Sequence, residues 1–244
     1  MNSTHPSITI IGFGAFGQLV AQLLVPYAHV SIYDQSEHAS RAASELEFKV
    51  ITRAEDLYAD FLILAVPVQA LDMLLVEIAP YIRPGQLIVD VCSIKEEPVR
   101  LMCDTLPGHA EILACHPMFG PQSAKLGVAG CQIVLCPIRG ERWRPLASFL
   151  KRTLHLDIII TTPEEHDRQA ALTQGFTHLL AHALSSLGDK PRIRTRSFDL
   201  ISEALALVES DAPEIFEAVT RGNRHFGPLR ERMLRALAAN DCAS

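Results

Sequence analysis

Between residues 7 and 162, short apolar runs alternate with segments of helical period, and this alternation limits the possible folds more than any other feature. SITII (7–11), HVSIYD (29–34), DFLILAVPV (60–68), GQLIVDVCS (85–93), ILACHP (112–117), GCQIVLCP (130–137) and LDIIITT (156–162) read as strands. FGQLVAQLLV (16–25), QALDMLLVEIAP (69–80) and EEPVRLMCDTL (96–106) read as helices between them. Strands this apolar are buried on both faces, and helical crossovers cover those faces. The pattern predicts an α/β domain with a mostly parallel sheet. After residue 162 only helical period remains. TPEEHDRQAALTQGFTHLLAHALSSL opens with Thr162 as N-cap, Pro163 at N1 and Glu165 at N3, a capping box. FDLISEALALVE (198–209) and a segment from 213 to 239, bent near Gly227-Pro228, complete it. The expected boundaries are 1–162 for the α/β domain and 163–244 for a small helical domain. So few helices rarely bury their apolar faces alone, so the second domain is expected to pack on the first and on a second copy of the chain, as a homodimer.

Composition excludes several partners. Lys+Arg is 22 against Asp+Glu 28, a net charge of -6, which leaves no basic surplus for nucleic acid. The most apolar stretch, residues 61–82, is interrupted by Pro67, Asp72, Glu77 and Pro80 and is a strand plus a helix, not a membrane span. Cys92, Cys103, Cys115, Cys131, Cys136 and Cys242 form no CxxC pair and read as reduced thiols; with no basic leader at the N-terminus, a cytoplasmic location is expected. No clustered His/Cys set or HExxH suggests a metal.

GFGAFG places Gly12, Gly14 and Gly17 between the first strand and the first helix. There the first glycine makes the turn, the second lets a pyrophosphate approach the backbone and the third lets helix and strand pack. The helix N-terminus supplies partial positive charge for phosphates. The next strand ends in Asp34, 22 residues after Gly12, near the usual spacing for the acid that binds a ribose 2′-OH. Gln35-Ser36-Glu37 offers no arginine for a 2′-phosphate, so NAD is favoured over NADP. A Rossmann-type domain is expected, with Gly12, Phe13, Gly14, Ala15, Phe16, Gly17, Asp34 and the strand-end residues Val66 and Pro67 as cofactor contacts. The bland reading is a glycine turn without a nucleotide.

Ligands of such sheets meet the carboxyl ends of the strands. Ser93 closes IVDVCS and His116 closes EILAC. Pro117 holds His116 extended, and Gly120-Pro121 then turns the chain. A neutral imidazole there can take a hydroxyl proton near pH 7, as oxidation of an alcohol-like substrate requires. Taken singly, His116 reads as a structural hydrogen-bonder and Ser93 as a helix N-cap with Glu96 three residues on.

GFGAFG, DVCSIK, ACHPMFGP and EEHDRQAALTQGFTHLLAHAL, in this order, resemble the arogenate/prephenate dehydrogenases of tyrosine biosynthesis, with ACHPMFGP closest to the arogenate-type branch. The resemblance covers about residues 1–190. It implies a Rossmann domain followed by a helical dimerisation domain. It also implies NAD(P)-dependent hydride removal from a cyclohexadienyl ring with loss of the ring carboxylate. By position, His116 resembles the catalytic base on the ring hydroxyl and Ser93 the group that bonds both. Gln122, His178 and Thr195 resemble substrate-contacting positions. His166 and His178 lie 12 residues apart, roughly 18 Å along one helix, so one small ring cannot touch both; His166-Asp167 is read as structural or inter-domain, and His182 as packing or solvated. The arginine that prephenate-using members carry falls here near Ala206. Arg192, Arg194, Arg196, Arg221 and Arg224 lie nearby in sequence as candidate replacements.

Two other readings compete. One is another dehydrogenase of Rossmann-plus-helical build, such as a β-hydroxyacid or imine reductase. Those use a lysine of the helical domain, and the only lysine after 162 is Lys190, at a helix end. The other is a non-catalytic NAD-binding module.

Overall fold

A computed structural model describes residues 5–188, 191–209 and 211–240. Cys242 and Lys190 lie outside the described residues. The chain divides into two compact units, Met1–Pro163 and Glu164–Ser244.

The first unit is built on one eight-stranded sheet: β1 (Ser7–Ile11), β2 (His29–Tyr33), β3 (Lys49–Ile51), β4 (Phe61–Leu64), β5 (Leu87–Asp90), β6 (Glu111–Pro117), β7 (Gln132–Arg139) and β8 (Asp157–Ile160). The order is β3-β2-β1-β4-β5-β6-β7-β8. Pairings from β3 through β6 are parallel, β7 runs antiparallel to β6, and β8 is parallel to β7. β2, β4, β5 and β8 are shorter than the apolar runs that announce them; at β4 and β5, Ala65–Pro67 and Val91–Ser93 have already left the strand to form the strand-end loops.

The helices are α1 (Ala15–Leu24), α2 (Glu37–Glu45), α3 (Val68–Ile78), α4 (Glu96–Thr105) and α5 (Trp143–Arg152). They cover both sheet faces, as a parallel sheet demands. One core cluster joins Leu71, Leu74, Leu75 and Ile78 of α3 and Leu101 and Met102 of α4 to Leu62, Leu64, Ile112 and Ala114. The α3 residues follow the i, i+3, i+4, i+7 spacing of a helix stripe, and fully burying each such side chain contributes about 1.5–3 kcal/mol. The other cluster joins Ala21 and Leu24 of α1, Ala43 of α2 and Leu150 of α5 to Ile8, Ile10, Ile63, Leu113 and Cys115. Adjacent residues of β6 thus serve opposite faces, as strand alternation requires.

The second unit is helical: α6 (Pro163–Ala170), α7 (Phe176–Leu187), α8 (Arg196–Glu209), α9 (Pro213–Glu217) and α10 (Phe226–Asn240). A π turn, Ala171–Gly175, links α6 to α7, and a second, Ala218–Gly222, follows α9. They pack together through Gly175, where a Cβ would stand 2.9 Å from the Val219 carbonyl oxygen and 2.7 Å from Phe226 Cδ2. The sequence suggests a bend at Gly227-Pro228. The break falls earlier, at residues 223–225, where Asn223 adopts an extended backbone (φ -88°, ψ 107°) and its Oδ1 accepts the His225 N–H at 2.9 Å. Gly227 and Pro228 sit in the first turn of α10, where proline's missing N–H is harmless.

Candidate functional site

The sheet reverses its winding between β1 and β4, and ligands of open α/β sheets bind outside the carboxyl ends at such a point. Reading outward from β1, the ends of β1, β4, β5 and β6 carry, in turn, the glycine loop, Val66-Pro67, Ser93 and His116. At about 4.8 Å per strand, three spacings put the loop and His116 about 14 Å apart along the sheet edge.

The glycine loop has the form a phosphate needs. Gly12 has φ +97°, and its Cβ would stand 2.6 Å from the Ala65 carbonyl oxygen. A Cβ on Gly17 would meet the Gly12 carbonyl oxygen at 2.1 Å, so only glycine lets α1 start this close to β1. At Gly14, by contrast, nothing lies within 4 Å of a Cβ, and its exposed backbone borders open space. Gly14 is also the N-cap of α1 and makes no side-chain cap bond, so the first-turn N–H groups of α1 are offered to a ligand anion.

Asp34 follows β2 directly. Its Oδ2 accepts the Phe13 N–H at 2.7 Å and its Oδ1 the Ser36 N–H at 2.8 Å. A cleft beside it is lined by Gly12, Tyr33, Asp34, Gln35, Val66 and Ala70, among others. Gly12, Asp34 and Val66 therefore share one cavity. Pro67 is the N-cap of α3 next to it. Ala15 opens α1 and Phe16 follows it, half-buried. The Phe13 ring goes elsewhere: it is 2% exposed and packs edge-on against Phe48, so toward a ligand it has only its backbone to offer.

Ser93 lies half-buried in the loop between β5 and α4. It is not the cap of that helix: α4 starts at Glu96, its N-cap is Lys95, and no side chain caps it. The loop is fixed instead by a buried ion pair. The Lys95 ammonium donates to the Asp90 carboxylate and to the Cys115 carbonyl oxygen at 2.6 Å, and Lys95 and Asp90 are both fully buried. Asp90 Oδ1 also accepts the Cys92 N–H at 2.8 Å, and Cys92 Sγ reaches the Val66 carbonyl at 3.5 Å. The ends of β4, β5 and β6 are thereby laced together on either side of Ser93. Burial pushes the thiols of Cys92 and Cys115 up, so both stay protonated.

His116 occupies β6 opposite Val134 of β7 and is buried. Alternation puts it on the face of Ile112 and Ala114, which α3 and α4 cover. Lys95 binds the carbonyl of the residue just before it. Sequence reasoning missed the Lys95–Asp90 pair. The only signal is an acid and a base five residues apart, bracketing Val-Cys-Ser-Ile at a strand end. Beyond β6, the Gly120 N–H donates to Ser123 Oγ at 2.9 Å, and Gln122 precedes a 3-10 turn (Ser123–Leu126) with its side chain exposed.

Within the helical unit, His178 is 4% exposed, its Nε2 has no hydrogen-bond partner among the described residues, and burial holds its pKa below the usual imidazole value. Gln174 Oε1, one turn back, is also buried without a partner among them. Asp211 Oδ2 lies 3.5 Å from His178 Nε2, and burial raises the Asp211 carboxyl. An ionised pair would shift both groups the other way, so at both of them burial outweighs mutual attraction. His166 Nδ1 meets Asp167 Oδ1 at 2.7 Å, both buried, and the Asp167 carbonyl accepts Asn223 Nδ2–H at 2.7 Å. The His182 ring packs on Phe216 at 5.1 Å. Thr195 Oγ1 accepts the Phe198 N–H at 3.2 Å and so caps the start of α8. Arg194, Arg196, Arg221 and Arg224 pair with Asp199, Glu203, Glu217 and Glu164 respectively.

The sheet order, the open Gly14 backbone and the Asp34 carboxylate define a Rossmann-type dinucleotide-binding protein, with a serine and a histidine on neighbouring strand ends. Residues 23–154 match the family model for the prephenate dehydrogenase nucleotide-binding domain, and the chain belongs to that family. It is similar to arogenate dehydrogenase 2, chloroplastic, of Arabidopsis thaliana, at 28% identity over 95% of this chain and 68% of the relative. Arogenate dehydrogenase 1, chloroplastic, of the same plant is 30% identical over 98% of this chain, which spans only 39% of that relative's length. The fold is like that of the A. aeolicus prephenate dehydrogenase solved with hydroxyphenyl propionate and NAD+, with a TM-score of 0.77 and 18% identity over 98% of this chain and 90% of that one. Among the described residues, no helix is long and apolar enough to cross a membrane.

Proposed function

We propose that this chain is an NAD-dependent dehydrogenase acting on a cyclohexadienyl acid, arogenate or prephenate, by oxidative decarboxylation. The observation that carries the reading is the row of strand ends that puts the glycine loop, Ser93 and His116 along one edge of the sheet, in a chain of this family. Bound NAD+ would supply the acceptor for the hydride leaving ring C4. The chain's own residues do the rest. The N–H groups at the start of α1 hold the pyrophosphate, and Asp34 accepts from the ribose. His116 takes the proton of the ring 4-hydroxyl as C4 is oxidised, and Ser93 orients that hydroxyl. Loss of the ring carboxylate as CO2 then leaves the aromatic product. The Lys95 clamp keeps the two side chains in place through the strand ends. Gln122, His178 and Thr195 are the proposed substrate contacts. His178 is the strongest of them, because its buried Nε2 has no hydrogen-bond partner among the described residues and burial favours the neutral imidazole.

Absorbance of the reduced nicotinamide, followed with NAD+ and each of arogenate and prephenate, tests the reading. His116→Ala is expected to lower turnover by about 10²–10⁴-fold with NAD+ affinity kept. No turnover with either substrate, despite tight NAD+ binding, would leave a non-catalytic binding module.

A homodimer through the helical unit and a cytoplasmic location belong to the same proposal. The first is supported by Leu187, Leu200, Ile201, Leu234 and Leu237, each about half or more exposed. The second is supported by the free thiols at Cys92, Cys103, Cys115, Cys131 and Cys136.

A further inference from the structure

Glu77, on α3, bonds two of the polar side chains of the dinucleotide cleft. The phenol of Tyr33 donates to Glu77 Oε1, and Gln35 Nε2 donates to Glu77 Oε2 at 2.6 Å. Tyr33 is 6% exposed, and burial together with the neighbouring carboxylate holds its proton on, so it remains a donor. A carboxylate accepts only, so the Gln35 amide must turn its NH2 toward Glu77 and its carbonyl oxygen away. Tyr33, Asp34 and Gln35 are the polar side chains that line the cleft. Glu77 holds both donors among them. The nearby backbone donors, the Phe13 and Ser36 N–H groups, are held by Asp34. Glu37 stands in the first turn of α2 and meets the positive end of that helix.

We infer that Glu77 is a specificity-determining residue for the cofactor: by fixing the amide of Gln35 it leaves the rim beside Asp34 lined with hydrogen-bond acceptors, which suits a ribose hydroxyl and rejects a 2′-phosphate. The inference rests on the NAD reading above and adds a second determinant to Asp34. A 2′-hydroxyl donates and finds acceptors. A 2′-phosphate only accepts and carries negative charge, so it meets the Asp34 carboxylate and the Gln35 carbonyl oxygen, with the Tyr33 and Gln35 donors held by Glu77. Replacing Glu77 by its amide lets residue 77 donate, and the Gln35 amide is then free to flip and present its NH2.

Binding of NAD+ and NADP+ to the full chain, by isothermal titration calorimetry, tests this in wild type, Glu77→Gln and Gln35→Ala. The readout is the ratio of the two Kd values, because a merely structural role of Glu77 would weaken both cofactors alike. Wild type is expected to prefer NAD+. Glu77→Gln is expected to cut that preference by about tenfold, chiefly by tightening NADP+, the size of one charge-assisted hydrogen bond. Gln35 is exposed, so Gln35→Ala cannot fail by unfolding the core, and it is expected to cut the preference as well. If wild type prefers NAD+ and neither variant changes the ratio, the inference is overturned while the NAD reading stands. If wild type binds neither dinucleotide, the NAD reading fails and the inference falls with it.

Discussion

The two units differ in how completely they answer the polar groups inside them. At the strand ends of the sheet unit each is answered: Lys95 by Asp90 and the Cys115 carbonyl, Asp90 also by the Cys92 N–H, and Asp34 by two backbone donors. In the helical unit His166, Asp167 and Asn223 answer one another, but the buried His178 Nε2 and Gln174 Oε1 have no hydrogen-bond partner among the described residues, and leucines along α7, α8 and α10 face outward. A parallel sheet closes its own hydrogen bonding and is covered by its crossovers. A handful of helices covers its apolar faces and its buried side chains less fully alone.

That contrast can be broken experimentally. Lys95→Met leaves the Asp90 carboxylate buried and unpaired and is expected to cost about 3–5 kcal/mol in urea unfolding; a loss under 1 kcal/mol would mean the sheet unit is not so closed. Gly175→Ala forces a Cβ against the Val219 carbonyl and is expected to cost about 1–3 kcal/mol by the same measurement, with the gap between π turns as its source. Thr195→Ala removes the cap of α8 and is expected to lower stability by about 1 kcal/mol, read from the thermal midpoint. The smallest effect is a pH dependence. Burial lowers the pKa of folded His178 below the unfolded value of 6.5, so the unfolded chain binds the proton more readily. The neutral imidazole's share of stability is thus complete above pH 6.5 and is lost as pH falls below it. The raised Asp211 pKa works in the opposite sense, its carboxyl favouring the folded state at low pH and losing that as pH rises. Comparing wild type with His178→Gln isolates the histidine: their stability difference is expected to shift against wild type below pH 6.5, and a difference that stays flat would show that His178 titrates normally.

Much of the sheet could be read from the chain because strands such as SITII and DFLILA are continuous apolar runs. Residues 35–59 and 138–155 carried no assignment, and the structure puts α2, β3 and α5 there. The reason is physical for two of them: α2 buries only Ala43 and β3 is three residues long, so neither has a periodic apolar stripe, whereas α5 carries Trp143, Leu146, Ala147 and Leu150 at helix spacing and was open to reading. Ser93, His116 and Asp34 were legible as strand-end residues. Lys95 was not, since one lysine buried by a single acid and one carbonyl leaves no repeating pattern. Glu77 lay inside an apolar helix and read only as a break in hydropathy. The π turns were equally silent, for ALTQG is ordinary helix sequence and only the packing at Gly175 demands the wider turn.

That wider turn has a geometric price for every residue after it. One extra residue in a helix rotates all later positions by about 100° around the axis, the angle each residue spans in an ideal helix. His178 therefore points along a different bearing from the one a uniform helix from Pro163 would give it. Deleting one residue from Ala171–Gly175 would straighten the hydrogen-bond ladder and swing that imidazole about a quarter of the way around the helix axis.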